Sequence, residues 1–237
     1  MSGAGDFYTT EDVARLIGVG QRRVQQMLDD GVLVRVARGL VDATSLDRYL
    51  AAHPHSRTRA WAEHTAWAAI ALLSGVHASW LGQTQASRLR ATLRTITAPG
   101  DFVARARDRA VVRVYSGHPS AVNRMLSDMV TVDSTGLGLG GIVLSGAGTL
   151  SAGGPVQNAD GYFPADRLDS TVQFLGLQED PGGIVTVRAT GFDIGVVADL
   201  AADGVVLAAL DAATSVDPRA RDVGERALVD VLDRYRR

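Results

Sequence analysis

Gln21, Arg22, Arg23, Gln25 and Gln26 crowd five hydrogen-bonding side chains into six consecutive positions of a 237-residue chain. An arginine guanidinium is a planar fork of donors that matches the major-groove edge of guanine, and a glutamine carboxamide both donates and accepts, as adenine requires. Val24, Met27 and Leu28 interleave with these five at helical spacing. A helix over 21–30 therefore turns its apolar residues inward and the polar five outward. Downstream, Arg35 and Arg38 lie in a short alternating segment, Val32 to Val41, suited to a hairpin whose tip is Ala37-Arg38-Gly39. There the two cations would lie along phosphates flanking the groove.

Other groupings offer different chemistry. Asp160, Asp166 and Asp169 bracket an expected strand-to-helix junction, and three carboxylates there would suit a divalent metal in phosphoryl chemistry. Asp166 and Asp169 fall in the first helical turn, however, where acids simply complement the helix dipole and its unsatisfied amides. His53, His55 and His64 match no common zinc spacing, and two of them sit in an expected linker. Residues 136–141, Gly-Leu-Gly-Leu-Gly-Gly, lack the strand, glycine spacing and downstream acid of a dinucleotide loop. The chain has no cysteine and no lysine, since all 24 basic residues are Arg. Thiol nucleophiles, thiolate metal sites, a phosphate-loop lysine and Schiff-base chemistry are thereby excluded. No nucleophile elbow is present. No catalytic residue, metal or cofactor is assigned.

The elements that must position the polar five are legible around them. Thr9 is placed to cap a first helix starting near Thr10, with Asp12 reaching back to the capping residue's amide. Val13, Leu16 and Ile17 form that helix's apolar face. Gly18-Val19-Gly20 supplies a sharp turn, with Val19 at the corner, and Gly31 ends the second helix. A third helix, Ser45 to Ala52, returns Leu46, Tyr49 and Leu50 to the core. Residues 9–50, running TTEDVARLIGVGQRRVQQMLDDGVL and closing on SLDRYL, resemble the excisionase and MerR-type winged helix-turn-helix. Gly20 stands where that family usually has Ser or Thr. The resemblance implies binding to double-stranded DNA through the second helix and the hairpin wing.

The remainder reads as one larger domain. At 46% hydrophobic and 21% charged residues the chain can bury an ordinary globular core. No apolar run approaches the roughly 18 residues that span a bilayer, and the N-terminus lacks the basic-then-apolar order of a signal peptide, so no membrane partner and a cytoplasmic location are expected. An arginine-only, Ala- and Gly-rich composition points to a GC-rich bacterial source. The net charge of −2 is unevenly spread. Residues 1–113 hold 15 Arg against 10 acids, and residues 114–237 hold 9 Arg against 16 acids. Within the basic half, Arg88, Arg90, Arg94, Arg105, Arg107 and Arg109 fall on two expected helices, Gln83 to Ile96 and Phe102 to Arg109, the second capped by Asp101. Two readings stand for these arginines: a second DNA surface, or ordinary solvated helix faces.

After a linker near residue 55, an apolar helical stretch over 58–81 is expected, broken at Gly75. Strands are expected at Val111 to Tyr115, Val130 to Val132, Gly161 to Phe163 and Ile184 to Thr190. Further helices are expected after Pro119, over Pro164 to Leu177, over Val205 to Ala213, and from Pro218 with Asp217 as cap. The class is α+β: a winged helix-turn-helix head, 1–54, then a mixed α/β domain, 55–237, for dimerisation, a second DNA contact or partner binding. The tail around Ala189-Thr190, Val206 to Asp211 and Asp217-Pro218-Arg219 resembles the C-terminal part of AbiEi antitoxins of type IV toxin-antitoxin systems. That likeness implies autoregulation and a cognate toxin as protein partner. One head covers few base pairs, so either a homodimer on an inverted repeat or a second DNA surface from the Arg-rich stretch Arg88 to Arg113 on a monomer is expected. A transcriptional regulator is the leading reading, beside a metal-dependent nucleotide enzyme built on the three aspartates and a non-catalytic domain that neutralises a protein partner.

Overall fold

The computed structural model describes residues 7–52, 58–132, 137, 159–202, 204–215 and 217–237. His53, His55 and all but Leu137 of the glycine-rich stretch 136–154 lie outside them. Among the described residues the chain is a mixed α/β protein with two small sheets.

The first unit is built around a pair of short helices. Thr9 caps α1 (Thr10–Ile17): its hydroxyl oxygen accepts the Asp12 amide at 3.1 Å and donates to the Asp12 carboxylate at 2.6 Å. One hydroxyl therefore performs both halves of the cap, and Asp12 is held by it rather than by the Thr9 amide. Gly18, at φ +75°, ends α1 in the left-handed region that only glycine enters at little cost. Gly20, at φ −77°, needs no such freedom and opens α2 (Gln21–Asp29) without a side-chain cap. The hairpin β2 (Arg35–Ala37) and β3 (Leu40–Asp42) turns at Arg38-Gly39.

A third strand, β1 (Phe7–Thr9), pairs antiparallel with β3 in the register Tyr8↔Val41. Three residues are too few for a period-2 pattern to declare itself, which is why the sequence does not announce it. Helix α3 (Ala43–Ala52) starts two residues earlier than Ser45, because Asp42 accepts the Ser45 amide at 2.6 Å and so acts in the first turn. Val13, Val24, Met27, Leu33, Val41 and Leu46 close this unit's own core.

The second unit runs α4 (Glu63–Leu73), α5 (Gln83–Thr95), α6 (Pro99–Ala106), a single 3₁₀ turn at Arg107–Arg109, β4 (Val111–Ser116) and α7 (Pro119–Asp128). It continues through β5 (Ala159–Pro164), α8 (Ala165–Leu175), β6 (Gln178–Glu179), β7 (Val185–Thr190), α9 (Ile194–Ala202), α10 (Val205–Ala213) and α11 (Pro218–Arg236). The sheet order is β5-β7-β4-β6, with β5 and β7 parallel and the other pairs antiparallel. Side chains alternate across a strand, so β7 splits cleanly. Val185, Val187 and Ala189 join the core under α7 and α8, whereas Arg188 and Thr190 face the other way. On that other side α4, buried on every side from Ala66 to Ala71, is the spine of a helical core completed by α5, α6, α9, α10 and α11.

Several expected boundaries move. Pro99, not Asp101, opens α6, since proline's fixed φ and missing amide suit a first helical position. The expected strand at Val130 to Val132 reduces to one bridge between Val130 and Tyr162. Helix α9 is additional; its run of Ile194, Val196, Val197 and Leu200 blurs the helical period, while the Asp193 carboxylate accepts the Gly195 amide at 2.8 Å to start the turn.

Helices α10 and α11 meet at Gly224, where a Cβ would stand 2.6 Å from the Ala209 carbonyl and closer still to the Ala213 amide. Alanine normally gains about 1 kcal/mol over glycine inside a helix. Here overpacking against backbone, at about 1–3 kcal/mol, opposes and exceeds it. Gly224→Ala therefore lowers the denaturant midpoint; a raised midpoint would show that the two helices do not approach this closely.

Candidate nucleic-acid interface

Helix α2 is pinned by Val24 and Met27, which are 0% and 2% exposed, while Gln21, Arg22, Arg23, Gln25 and Gln26 are all exposed. The polar five thus occupy one continuous outer face. Within it Arg23 donates to the Gln26 carboxamide at 2.9 Å, which presents the two side chains as a joined donor-acceptor pair. Gln25 and Arg35 both donate to Asp29 Oδ1, each at 2.9 Å, linking the end of α2 to the hairpin. The Arg35–Asp29 pair is exposed at both ends and hence weak, so a phosphate can displace the carboxylate. Arg38 is exposed at the hairpin tip beside Gly39, and neither it nor Arg22 enters an ion pair among the described residues.

Residues 7–52 carry six Arg and six acids, so the positive character of this face comes from segregation rather than surplus. On α1 Arg15 pairs with Glu11 at 3.5 Å and with Asp12 at 3.2 Å. Helix α3 faces the second unit: Arg48 lies within electrostatic reach of Arg188 and Asp160, and Tyr49 within reach of Arg107 and Arg23. Burial raises the Tyr49 phenol above its ordinary value, against the pull of the neighbouring Arg107 and Arg23.

The six arginines of the second expected surface divide. Arg88 and Arg94 are exposed on α5 and Arg90 is partly so. The other three are structural. Arg105 lies over the Trp61 ring at 5.8 Å, and Arg107 donates to the carbonyls of Thr58 and Ala104 at 3.1 and 2.6 Å. Arg109 is only 4% exposed, because α6 tightens into a 3₁₀ turn that swings this side chain inward.

The aspartate trio also comes apart. Asp160 is gripped at both oxygens by Arg188 at 2.9 Å, while Asp166 and Asp169 stand exposed on α8. Among the described residues no three His, Asp or Glu side chains gather as a metal site, and His64 is exposed. The constellation that the enzyme reading required is therefore not assembled there.

What the inward faces of β5 and β7 assemble instead is a buried polar network. Arg109 donates to Asp211 Oδ1 at 2.6 Å and to the Tyr162 hydroxyl at 3.0 Å; Tyr162 donates to the same carboxylate oxygen at 2.8 Å. Arg188 adds a guanidinium 3.6 Å from Asp211. The indole of Trp67 donates to the Arg109 carbonyl and to Thr190, whose hydroxyl donates to Glu63 at 2.6 Å. Burial pushes the Tyr162 phenol far above its usual range, so it remains a donor at any ordinary pH. Burial works against the Arg188 charge, but the carboxylates of Asp160 and Asp211 outweigh it and hold its proton more tightly than usual. Two Arg and two Asp balance, and the Arg109–Asp211 pair, 4% and 1% exposed, is sealed from any substrate. Its part is to fix the fold.

Sequence reasoning missed Tyr162, Arg188 and Asp211 as members of this network. The sign was present: one arginine within Ile184-Val185-Thr186-Val187-Arg188-Ala189 and one aspartate within Val205 to Ala213, each a lone charge in an apolar run. Comparison of the chain with models of known families, with curated proteins and with solved structures finds no match. Among the described residues no helix is long and apolar enough to cross a membrane.

Removing one partner of a buried pair leaves the other charge uncompensated, at a cost of about 3–5 kcal/mol. Asp211→Asn is expected to lower unfolding free energy by that order in urea titration. An unaltered midpoint would mean that Arg109 finds its neutralising charge elsewhere.

Proposed function

We propose that this chain is a sequence-specific DNA-binding transcriptional regulator whose residues 7–52 form a winged helix-turn-helix. In this reading α2 lies in the major groove and the β2–β3 hairpin rides over adjacent phosphates. The observation that carries it is the outer face of α2, with five exposed donor and acceptor side chains over two fully anchored apolar ones. With its side chains an α-helix is about 10–12 Å across, which a major groove about 12 Å wide admits. Arg22 and Arg23 suit guanine edges and Gln21, Gln25 and Gln26 suit adenine. Arg35 and Arg38 serve as phosphate contacts, which position the head without reading sequence.

A head of this size reads only a few base pairs, so the regulator acts as a homodimer on an inverted repeat. The acid excess of residues 114–237 favours a second role for the larger domain, the docking of a basic protein partner such as a toxin, which would make the protein an autoregulating antitoxin.

The test is selection of a preferred site from randomised duplex DNA, followed by fluorescence titration at fixed salt. Arg22→Ala and Arg23→Ala are each expected to weaken the selected duplex by about 1–3 kcal/mol, or about 5- to 150-fold. Equal affinity in both variants and the wild type would remove α2 from the groove, and a footprint without two-fold symmetry would remove the dimer.

A further inference from the structure

We infer that α5 is a second nucleic-acid surface, one that grips the phosphate backbone of duplex DNA without reading its sequence. The helix, Gln83–Thr95, contains three arginines and no acid in thirteen residues. Ala86, Leu89 and Leu93 are buried against the helical core, which fixes the outward direction. At 100° per residue the opposite crest is formed by Thr84, Ser87, Ala91 and Thr95, all exposed. Arg88 stands on one shoulder of that crest, and Arg94 with Arg90 on the other. The crest residues are short, so a sugar-phosphate strand can approach the helix closely and meet guanidinium groups from both sides. None of the three arginines enters an ion pair among the described residues, whereas Arg107 and Arg109 are already satisfied by protein groups. That contrast reduces the expected six-arginine surface to a single helix.

The electrostatics favour a polyanion over a protein. Residues 57–113 hold nine Arg against three acids, and the acids of the chain concentrate in its other half. An acidic peptide would be matched by charge alone, but the crest offers it no apolar side chain larger than Ala91 to bury. A repeating row of phosphates needs none, since its affinity comes from neutralised charge and released counterions. The choice of duplex DNA as the polyanion rests on the function proposed for α2; the surface itself does not depend on it.

The experiment uses the full chain and a random-sequence 30-base-pair duplex, with affinity measured across a series of salt concentrations. Each phosphate contact contributes about 0.9 to the slope of log affinity against log salt. The triple variant Arg88→Gln, Arg90→Gln, Arg94→Gln, with folding verified by circular dichroism, is expected to flatten that slope by about 2 to 3 while keeping the preference for the selected site over random duplex. Arg22→Ala is expected to do the reverse, losing the preference and leaving most of the slope. An unchanged slope in the triple variant would overturn the surface on α5, as would a wild-type chain that binds no random duplex. Tighter binding of single-stranded RNA than of duplex DNA would overturn the choice of partner. Failure of α2 alone would be visible separately, as absence of any selected site with the α5 slope intact.

Discussion

Arg109 and Asp211 lie 102 positions apart in the chain, yet their salt bridge is the constraint around which the second unit is organised. A charge pair this deeply buried holds only when each member has its partner in place, because the loss of solvation is severe for either ion alone. The bridge forms only if the 3₁₀ turn after α6, strands β5 and β7, and α10 arrive together. Tyr162 and Arg188 converge with Arg109 on the same carboxylate oxygen, Oδ1, while Oδ2 is buried without a hydrogen bond among the described residues, and Trp67 and Thr190 extend the network to Glu63 on α4. The network therefore joins the covered face of the sheet to the helical core packed on it. Apolar packing alone would accept small shifts between these layers; directed hydrogen bonds to one carboxylate do not.

Two exposed features of different character stand on the two units, α2 on the first with its own core and α5 on the second. The face on α2 is varied, with guanidinium donors between carboxamides that both donate and accept. The face on α5 is monotonous, with guanidinium groups on either side of a low crest. Under the function proposed for this chain, the two faces would divide DNA binding between a part that chooses and a part that holds. The acid-rich half of the chain, residues 114–237, contributes to neither face.

Much of the first unit could be read before any coordinate. Caps, turn glycines and apolar spacing act within a few residues, so Thr9, Gly18, Gly31 and the Val24–Met27 pair announce α1, α2 and the turns. Strand β1 escaped because its three residues acquire meaning only through pairing with β3. In the second unit α5, β4, α10 and α11 follow their patterns closely, whereas α4 takes up only Glu63–Leu73 of the helical stretch expected over 58–81, and α9 is masked by β-branched residues. The arginines were the harder matter. Arg88 and Arg109 are the same residue type in neighbouring helical segments; one is exposed and the other buried in a salt bridge, and nothing within ten residues of either tells them apart.

Sequence by itself determined the period, the punctuation and the side-chain inventory: most of the helices, which face of α2 is polar, and that chemistry requiring cysteine or lysine is absent. Only the tertiary structure decided which charges are spent inside. Local propensity depends on neighbours three or four positions away, but the fate of Asp160, Arg109 or Asp211 depends on which distant strand or helix arrives opposite it. Strand pairing set that outcome by aligning Tyr162 with Arg188 across β5 and β7, and one-dimensional patterning carries no information about register between segments that far apart.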